Sequence, residues 1–137
     1  MLQPRKKKFK KYRKGRLKNN LEYKANKLKF GTYGLQAIEK GHLTSRQIEA
    51  GRRTITGFIK RAGKVWIRAF PDHPITSKPA EVRMGKGKGS VDYWVCIIKP
   101  GKIIYEVSGK NPVLIREALK QVSSKLPMFT KIIGPIV

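Results

Sequence analysis

The feature that most constrains this chain is an excess of positive charge concentrated near its N-terminus. Lys and Arg number 32 against eight Asp and Glu, which gives a formal charge of +24 over 137 residues. Residues 1–29 hold 13 of these cations and one acid. Self-repulsion of this size calls for a polyanionic partner, and so few apolar side chains cannot offset the entropy of ordering the segment. We therefore expect residues 1–27 to form a basic arm that orders on its partner, and residues 28–137 to form one domain.

The predicted arm combines cations with aromatic rings. Phe9 and Tyr12 lie among lysines and arginines, so bases could stack beside side chains that bind phosphate. A solvated tail is the alternative interpretation. Besides the two aromatic residues, the positions predicted to bind RNA are Arg5, Lys6, Lys7, Lys8, Lys10, Lys11, Arg13, Lys14 and Arg16.

Two amphipathic helices are predicted beyond the arm. The first is capped by Thr44 or Ser45 and ended by Gly63. Its apolar stripe comprises Ile48, Ile55, Ile59 and Ala62, and its opposite, cationic stripe comprises Arg46, Arg53, Lys60 and Arg61. An ordinary solvated stripe would mix Glu with Lys, so we expect the cationic stripe to contact RNA. The second helix begins at Asn111 and ends at Pro127, with an apolar stripe of Ile115, Ala118, Leu119, Val122 and Leu126.

Strand-forming runs surround these helices. They cover residues 30–38, 64–70, 91–99, 102–108 and 129–133, the last as an edge strand, and the proline-rich residues 71–79 are interpreted as a connection. Pro100 and Gly101 suit the centre of a type II turn, so the flanking runs predict a hairpin. In its second strand, apolar residues at 103, 105 and 107 predict one buried face. The predicted fold is α+β, with two helices packed on a mixed or antiparallel sheet, a long basic arm and a Gly/Lys loop.

The Gly/Lys loop is the sequence RMGKGKG at residues 83–89. A nucleotide P-loop would end in Gly-Lys-Ser/Thr before a helix, whereas here a strand is predicted to follow. We expect a mobile loop between two strands, in which glycines let the backbone approach a phosphate chain and lysines supply charge. A merely flexible connector is the alternative. The residues predicted to contact RNA are Arg83, Met84, Gly85, Lys86, Gly87, Lys88 and Gly89.

The inventory of reactive side chains predicts neither an enzyme nor a metal or cofactor site. His42 and His73 have no suitably spaced carboxylate except Asp72, which lies with His73 between two prolines where a turn is the simpler interpretation. Cys96 is the single cysteine, so no disulfide framework is expected. Apolar runs are too short for a membrane span, and no secretory signal follows Met1. We expect neither a membrane partner nor a small-molecule substrate.

Five segments resemble bacterial-type ribosomal protein sixteen of the large subunit. They are MLQPRKKKFKK at the start, LTSRQIEAGRR at 43–53, KVWIRAFPDHPITSKP at 64–79, EVRMGKGKGSVDYWV at 81–95 and PGKIIYEVSG at 100–109. The resemblance implies a structural constituent of the large subunit that binds its rRNA beside the tRNA-accepting site, contacts neighbouring ribosomal proteins and helps to position incoming tRNA. It also implies that the arm reaches toward the peptidyl-transferase region and that the Gly/Lys loop lies close to tRNA. A free-standing nucleoid-type protein is the alternative function.

Two departures from that family bear on the source of the chain. Residues 17–30 are rich in Lys and Asn where bacterial members usually have a short Gly-rich stretch. Lys outnumbers Arg by 22 to 10, and Ile is frequent among the aliphatic residues, as AT-rich coding would produce. We therefore expect a ribosome inside an organelle, with the mitochondrion slightly favoured over the plastid and the bacterial cytoplasm as the alternative.

Overall fold

The structure of the chain is a computed structural model that describes residues 2–135. Met1 of the predicted arm and residues 136 and 137 of the predicted domain lie outside the described residues. Within the described range the chain forms seven strands and two helices. In chain order they are β1 (Tyr33–Ala37), β2 (Gly41–Thr44), α1 (Ser45–Phe58), β3 (Gly63–Ile67), β4 (His73–Ser77), β5 (Ser90–Ile98), β6 (Ile103–Gly109), α2 (Pro112–Ser123) and β7 (Thr130–Ile133).

The strands form two antiparallel sheets, and the predicted α+β class is confirmed. The first sheet has the order β3-β6-β1-β7 and the second has the order β2-β5-β4. Helices α1 and α2 pack against each other, α1 also contacting β3 and α2 contacting β1 and β7. One hydrophobic core joins both sheets, since it contains Leu35 and Tyr105 of the first sheet and Leu43 and Cys96 of the second. Strand β7 is an edge strand, as predicted.

Strand β6 is buried on both faces, so the prediction of one buried face is wrong. All five residues from Ile103 to Val107 are buried. On one face the Tyr105 hydroxyl donates a hydrogen bond to the Ile48 carbonyl in α1, 2.8 Å away. Gly51 leaves room for this ring, because a Cβ there would lie 2.8 Å from its Cζ. The other face is covered by the segment that precedes β1, which has no periodic pattern to reveal its role.

Glu106 lies on that second face and holds the preceding segment against the sheet. Its Oε2 accepts hydrogen bonds from the backbone N–H groups of residues 29–31, at 3.1, 2.7 and 2.8 Å. Its Oε1 pairs with the guanidinium of Arg68, which also donates to the carbonyl of Lys27 at 3.3 Å. Burial raises the pKa of the Glu106 carboxyl, but these donors more than offset it, so the pKa lies below its usual value of 4.5.

Helix α1 starts as predicted and ends earlier. Thr44 is the N-cap and forms a capping box with Gln47. The helix ends at Phe58, and the following Lys60 and Arg61 adopt φ values of 48° and 62°. Left-handed residues stop the helix before Gly63, so both cations lie in a turn and not on the helix. Ala62, which was expected in the apolar stripe, is exposed.

The predicted hairpin is wrong, although its turn is present. Gly101 has a φ of 89° and the Lys102 N–H donates to the Lys99 carbonyl at 3.1 Å, as in a type II turn. However, β5 pairs with β2 and β4, whereas β6 pairs with β1 and β3. The turn therefore carries the chain from one sheet to the other.

The proline-rich connection is also corrected, because it contains β4. Pro74 has no N–H to donate, but β4 is at the edge of its sheet, where one side of the strand needs no partner. The four-residue β2 was not predicted, since it runs directly into the cap of α1. Helix α2 begins after Asn111, whose Oδ1 accepts from two backbone N–H groups, as predicted. It ends at Ser123 and not at Pro127, so Leu126 lies beyond the helix, although all five residues of the predicted apolar stripe are buried.

We expect Ile55→Ala to lower the free energy of unfolding by about 2 to 5 kcal/mol, because Ile55 is wholly buried and the smaller side chain leaves a cavity. Urea denaturation measures this difference. Arg46→Ala, on the exposed side of the same helix, is the control and should change stability by less than about 0.5 kcal/mol. Equal effects of the two substitutions would contradict the orientation of α1.

We expect Glu106→Ala to destabilise the fold by about 3 to 5 kcal/mol at neutral pH, because it leaves Arg68 and three N–H groups without their acceptor. The folded-state pKa is depressed, so the stabilisation is present above the unfolded value of 4.5 and is lost as pH falls through the lower folded value. Denaturation curves across this pH range should therefore show wild type and variant converging in acid. Glu81→Ala, at an exposed acid, is the control, and an equal loss for both variants would contradict the role of Glu106.

Candidate RNA interface

The start of the arm and the start of α1 border one cleft. The cleft has a volume of about 820 Å³ and lies between the arm, residues 44–46 and residues 91–94 of β5. Its cationic lining includes Arg5, Lys6 and Arg46, all exposed. The structure therefore brings part of the predicted arm set and one member of the predicted helix stripe to the same place. Arg46 also lies in the first turn of α1, where the helix dipole favours an anion.

Lys7 attaches the arm to the second sheet. Its Nζ lies 4.7 Å from the centroid of the Tyr12 ring and 5.1 Å from that of Trp94. The same ammonium donates to the Tyr12 hydroxyl at 3.2 Å and to the backbone carbonyl of Asp72. Lys7 is half-buried, whereas the neighbouring Lys6 and Lys8 and the Phe9 ring are exposed. One of the predicted RNA-binding lysines thus faces the protein, and its neighbours face outward.

His42 and His73 lie side by side beneath the arm, an arrangement that their sequence spacing did not reveal. They come from β2 and β4, the two neighbours of β5, and their rings stack with centroids 6.5 Å apart. The Tyr12 ring meets His73 edge-on at 5.7 Å. Burial, and next the proximity of His42, lower the pKa of His73. Residues 2–135 contain no group of three side chains that could hold a metal ion.

The Gly/Lys loop joins β4 to β5, which confirms the predicted placement between two strands. Residues 83–88 are exposed. Gly85 and Gly87 have φ values of 92° and 94°, and Lys86 between them has a φ of 53°, so three successive residues are left-handed. Gly89 is needed for close packing and not for a left-handed conformation. A Cβ at this position would lie 2.8 Å from the carbonyl carbon of Ser77 and clash with that backbone.

Two lysines bind carbonyl groups of this loop. The Lys78 ammonium donates to the Gly85 carbonyl at 2.6 Å, and the Lys11 ammonium of the arm donates to the Lys88 carbonyl at 3.1 Å. The arm and the loop, which were predicted separately, therefore touch. Because Arg83 and the arm cations other than Lys7 are exposed, the two segments form one continuous cationic surface.

The rest of the predicted helix stripe lies at the opposite end of α1. Arg53 is paired with Glu49 at 3.2 Å, and Arg52 binds the same carboxylate at 2.6 Å. The hydrogen bond from Arg52 is the main reason that the pKa of Glu49 falls to about 2. Arg53 and Lys60 border a groove between the two helices that Lys125 closes on the α2 side. The stripe is thus divided, with Arg46 beside the arm and the other cations at this groove and the adjoining turn.

Comparison with known proteins gives consistent results. A family model described as Ribosomal protein L16p/L10e matches residues 4–133. Large ribosomal subunit protein uL16 of Psychrobacter arcticus is 58% identical over 133 residues, which is 97% of this chain and 96% of that protein. The protein of the same name from Francisella tularensis subsp. holarctica is 56% identical over 130 residues, covering 95% and 94%. That of Buchnera aphidicola subsp. Cinara cedri is 56% identical over 137 residues, covering 100% and 99%.

We expect removal of residues 1–18 to flatten the salt dependence of RNA binding, because it deletes ten cations. For the full chain, a plot of log affinity against log salt should have a slope of roughly −4 to −9 if about six to ten phosphates are neutralised. Fluorescence anisotropy with a large-subunit rRNA fragment over a salt series measures both slopes. An unchanged slope in the truncated protein would show that the arm makes no phosphate contacts.

Proposed function

The chain belongs to the ribosomal protein L16p/L10e family, and from this membership we propose how its surfaces act on the large ribosomal subunit. It is a structural constituent of that subunit and not an enzyme. The finer proposal is that it binds large-subunit rRNA near the tRNA-accepting site and peptidyl-transferase region, touches neighbouring ribosomal proteins and helps to position incoming tRNA.

The observation that carries this proposal is the continuity of the arm with the Gly/Lys loop. The bond from Lys11 to the Lys88 carbonyl places two exposed cationic segments side by side. Such a surface suits two neighbouring polyanions, with rRNA on the arm and tRNA at the loop tip. We propose that the arm of residues 1–27 binds rRNA, that the exposed cations of α1 and its following turn do so as well, and that residues 83–89 contact tRNA or the rRNA around it.

Arg83 and the glycines have different parts in the proposed tRNA contact. The planar guanidinium of Arg83 can engage a phosphate through two hydrogen bonds or stack on a base, whereas an ammonium acts as a point charge. The left-handed Gly85 and Gly87 shape the tip, and a Cβ on either would meet nothing within 4 Å. Their importance in the isolated protein is therefore conformational, and the lack of side chains leaves the backbone open to a partner.

A nucleoid-type protein is the weaker alternative. It would need an element that enters a DNA groove, and its cationic surface would be expected on that helix or β-ribbon. In the described part of the chain, the larger cationic surface lies instead on an arm and a loop without regular structure. Family membership points the same way.

We propose that the ribosome in question is bacterial. The three relatives reported above, which match nearly the whole chain, come from bacteria. They favour the bacterial cytoplasm, which was the alternative, over the organelle that the lysine and isoleucine bias suggested. Neither helix within residues 2–135 is long and apolar enough to cross a membrane.

We expect Arg83→Lys and Gly87→Val to slow accommodation of tRNA by about ten-fold, through loss of a charge-assisted contact and through strain at a positive φ respectively. Lys88→Arg should have a mild effect because it keeps the charge. The measurements are tRNA binding and peptide-bond formation by ribosomes that carry each variant.

Occupancy of the variant protein on the subunit is the control for this experiment, and circular dichroism of each free variant should match the wild type. Wild-type rates for both Arg83→Lys and Gly87→Val at full occupancy would reduce the loop to a flexible connector. The rRNA-binding part of the proposal would be unaffected by that result.

A further inference from the structure

An aromatic pair lies on the face of the first sheet that the helices do not cover. The rings of Phe30 and Trp66 stack at an interplanar angle of 22° with centroids 6.2 Å apart. Trp66 is opposite Glu106 in the β3–β6 register, so it lies on the Glu106 face and not on the Tyr105 face that meets α1. Phe30 is 57% exposed. Phe30 is therefore accessible to a partner, and the half-buried Trp66 packs beneath it.

The pair is held in position by buried electrostatic contacts. The backbone N–H of Phe30 donates to the Glu106 carboxylate at 2.7 Å, so the Phe30 main chain is anchored to the wholly buried end of that side chain. The guanidinium carbon of Arg68 lies 5.4 Å from the Phe30 ring centroid and the same group neutralises Glu106. An exposed phenylalanine on an anchored backbone loses little conformational entropy when it binds, which is a property of a recognition site.

The surroundings of the pair are cationic. Lys27 and Lys29 precede Phe30 closely in the chain, and Lys64 lies two residues before Trp66 in β3 and so on the same face. All three lysines are exposed. The acid beneath them, Glu106, is already paired with Arg68. An occupant of this surface must therefore carry negative charge and a flat face that can stack.

We propose that Phe30 and Trp66 form a stacking site for an unpaired base of RNA, with Lys27, Lys29 and Lys64 receiving the adjacent phosphates. The inference rests on the proposed function and adds a site where the end of the arm meets the first sheet, separate from the α1 cations and the Gly/Lys loop. Stacking on aromatic side chains beside a cationic track is the general way in which single-stranded RNA is bound, and it works for any base because every base has a π face. An acidic protein segment would satisfy the charges but would not require two aligned rings.

The test uses the fluorescence of Trp66 in the full-length protein. The chain has two tryptophans, so Trp94→Phe leaves Trp66 as the sole reporter. This protein is titrated with a single-stranded oligoadenylate and with an abasic ribose-phosphate oligomer of the same length. Each titration is repeated with Phe30→Leu, which is apolar but not aromatic, with Phe30→Tyr, which restores an aromatic ring, and with Phe129→Leu. The last is a matched control, because Phe129 is 72% exposed beside β7 at the other edge of the same sheet.

Quenching by oligoadenylate and not by the abasic oligomer is the expected result. Phe30→Leu should raise the oligoadenylate concentration at the midpoint of quenching by about five-fold or more. Phe30→Tyr and Phe129→Leu should leave this midpoint as it is in the parent protein. A transition that is the same for both oligomers, or unaffected by Phe30→Leu, would overturn the stacking site. If the parent still binds rRNA with a steep salt dependence in that case, the proposed function stands alone. If it binds no rRNA, both proposals fail.

Discussion

The buried pair of Glu106 and Arg68 is the interaction on which the arrangement of this protein depends. Glu106 is at the centre of β6, the strand between β3 and β1, and it is fully enclosed. A carboxylate in that place would be strongly destabilising alone, but three backbone N–H groups and one guanidinium satisfy it. Because those N–H groups belong to residues 29–31, the same contact closes the open face of the sheet and fixes the point from which the arm departs. The arm leaves on the face opposite the helices as a direct consequence.

Two acids, Glu106 and Glu49, pair with cations of the fold, and the far more numerous cations elsewhere remain available. Glu106 forms an ion pair with Arg68, and Glu49 forms ion pairs with Arg52 and Arg53 on the surface of α1. An exposed pair such as the latter contributes little to stability, so its main effect is to moderate the charge of that part of the helix. Among the residues that the structure describes, no ion pair joins an acid to a cation of the arm or of the Gly/Lys loop. Cations without an acidic partner are therefore concentrated where the described chain has least regular structure, which is the distribution expected of a surface that attracts a polyanion.

The sequence predicted the parts of this fold that are determined locally. The caps at Thr44 and Asn111 and the apolar stripe of α2 from Ile115 to Val122 follow from short-range patterns, and each was found as expected. Strand pairing is not local: a good turn at Pro100 and Gly101 implied a hairpin, yet β5 and β6 belong to different sheets. The residues of the candidate surface likewise fall into those that local sequence predicts and those that only the fold brings together. The cations of the arm and loop could be predicted from composition, whereas the contacts between His42 and His73 and between Phe30 and Trp66 could not, because the fold brings each pair together across strands.

In the Gly/Lys loop, the backbone conformation and the side-chain charge come from different residues. Its two carbonyl contacts come from Lys78 and Lys11, and hydrogen bonds between exposed groups add little net stability because water competes for both partners. The three left-handed residues at 85–87 are different, since at least the two glycines reach that region without the steric penalty that other residues meet. The shape of the tip is thus encoded in the glycines and its charge in the lysines. The alternation of the two residue types lets a bare backbone and a dense charge occupy the same short stretch, which neither a run of lysines nor a run of glycines could provide.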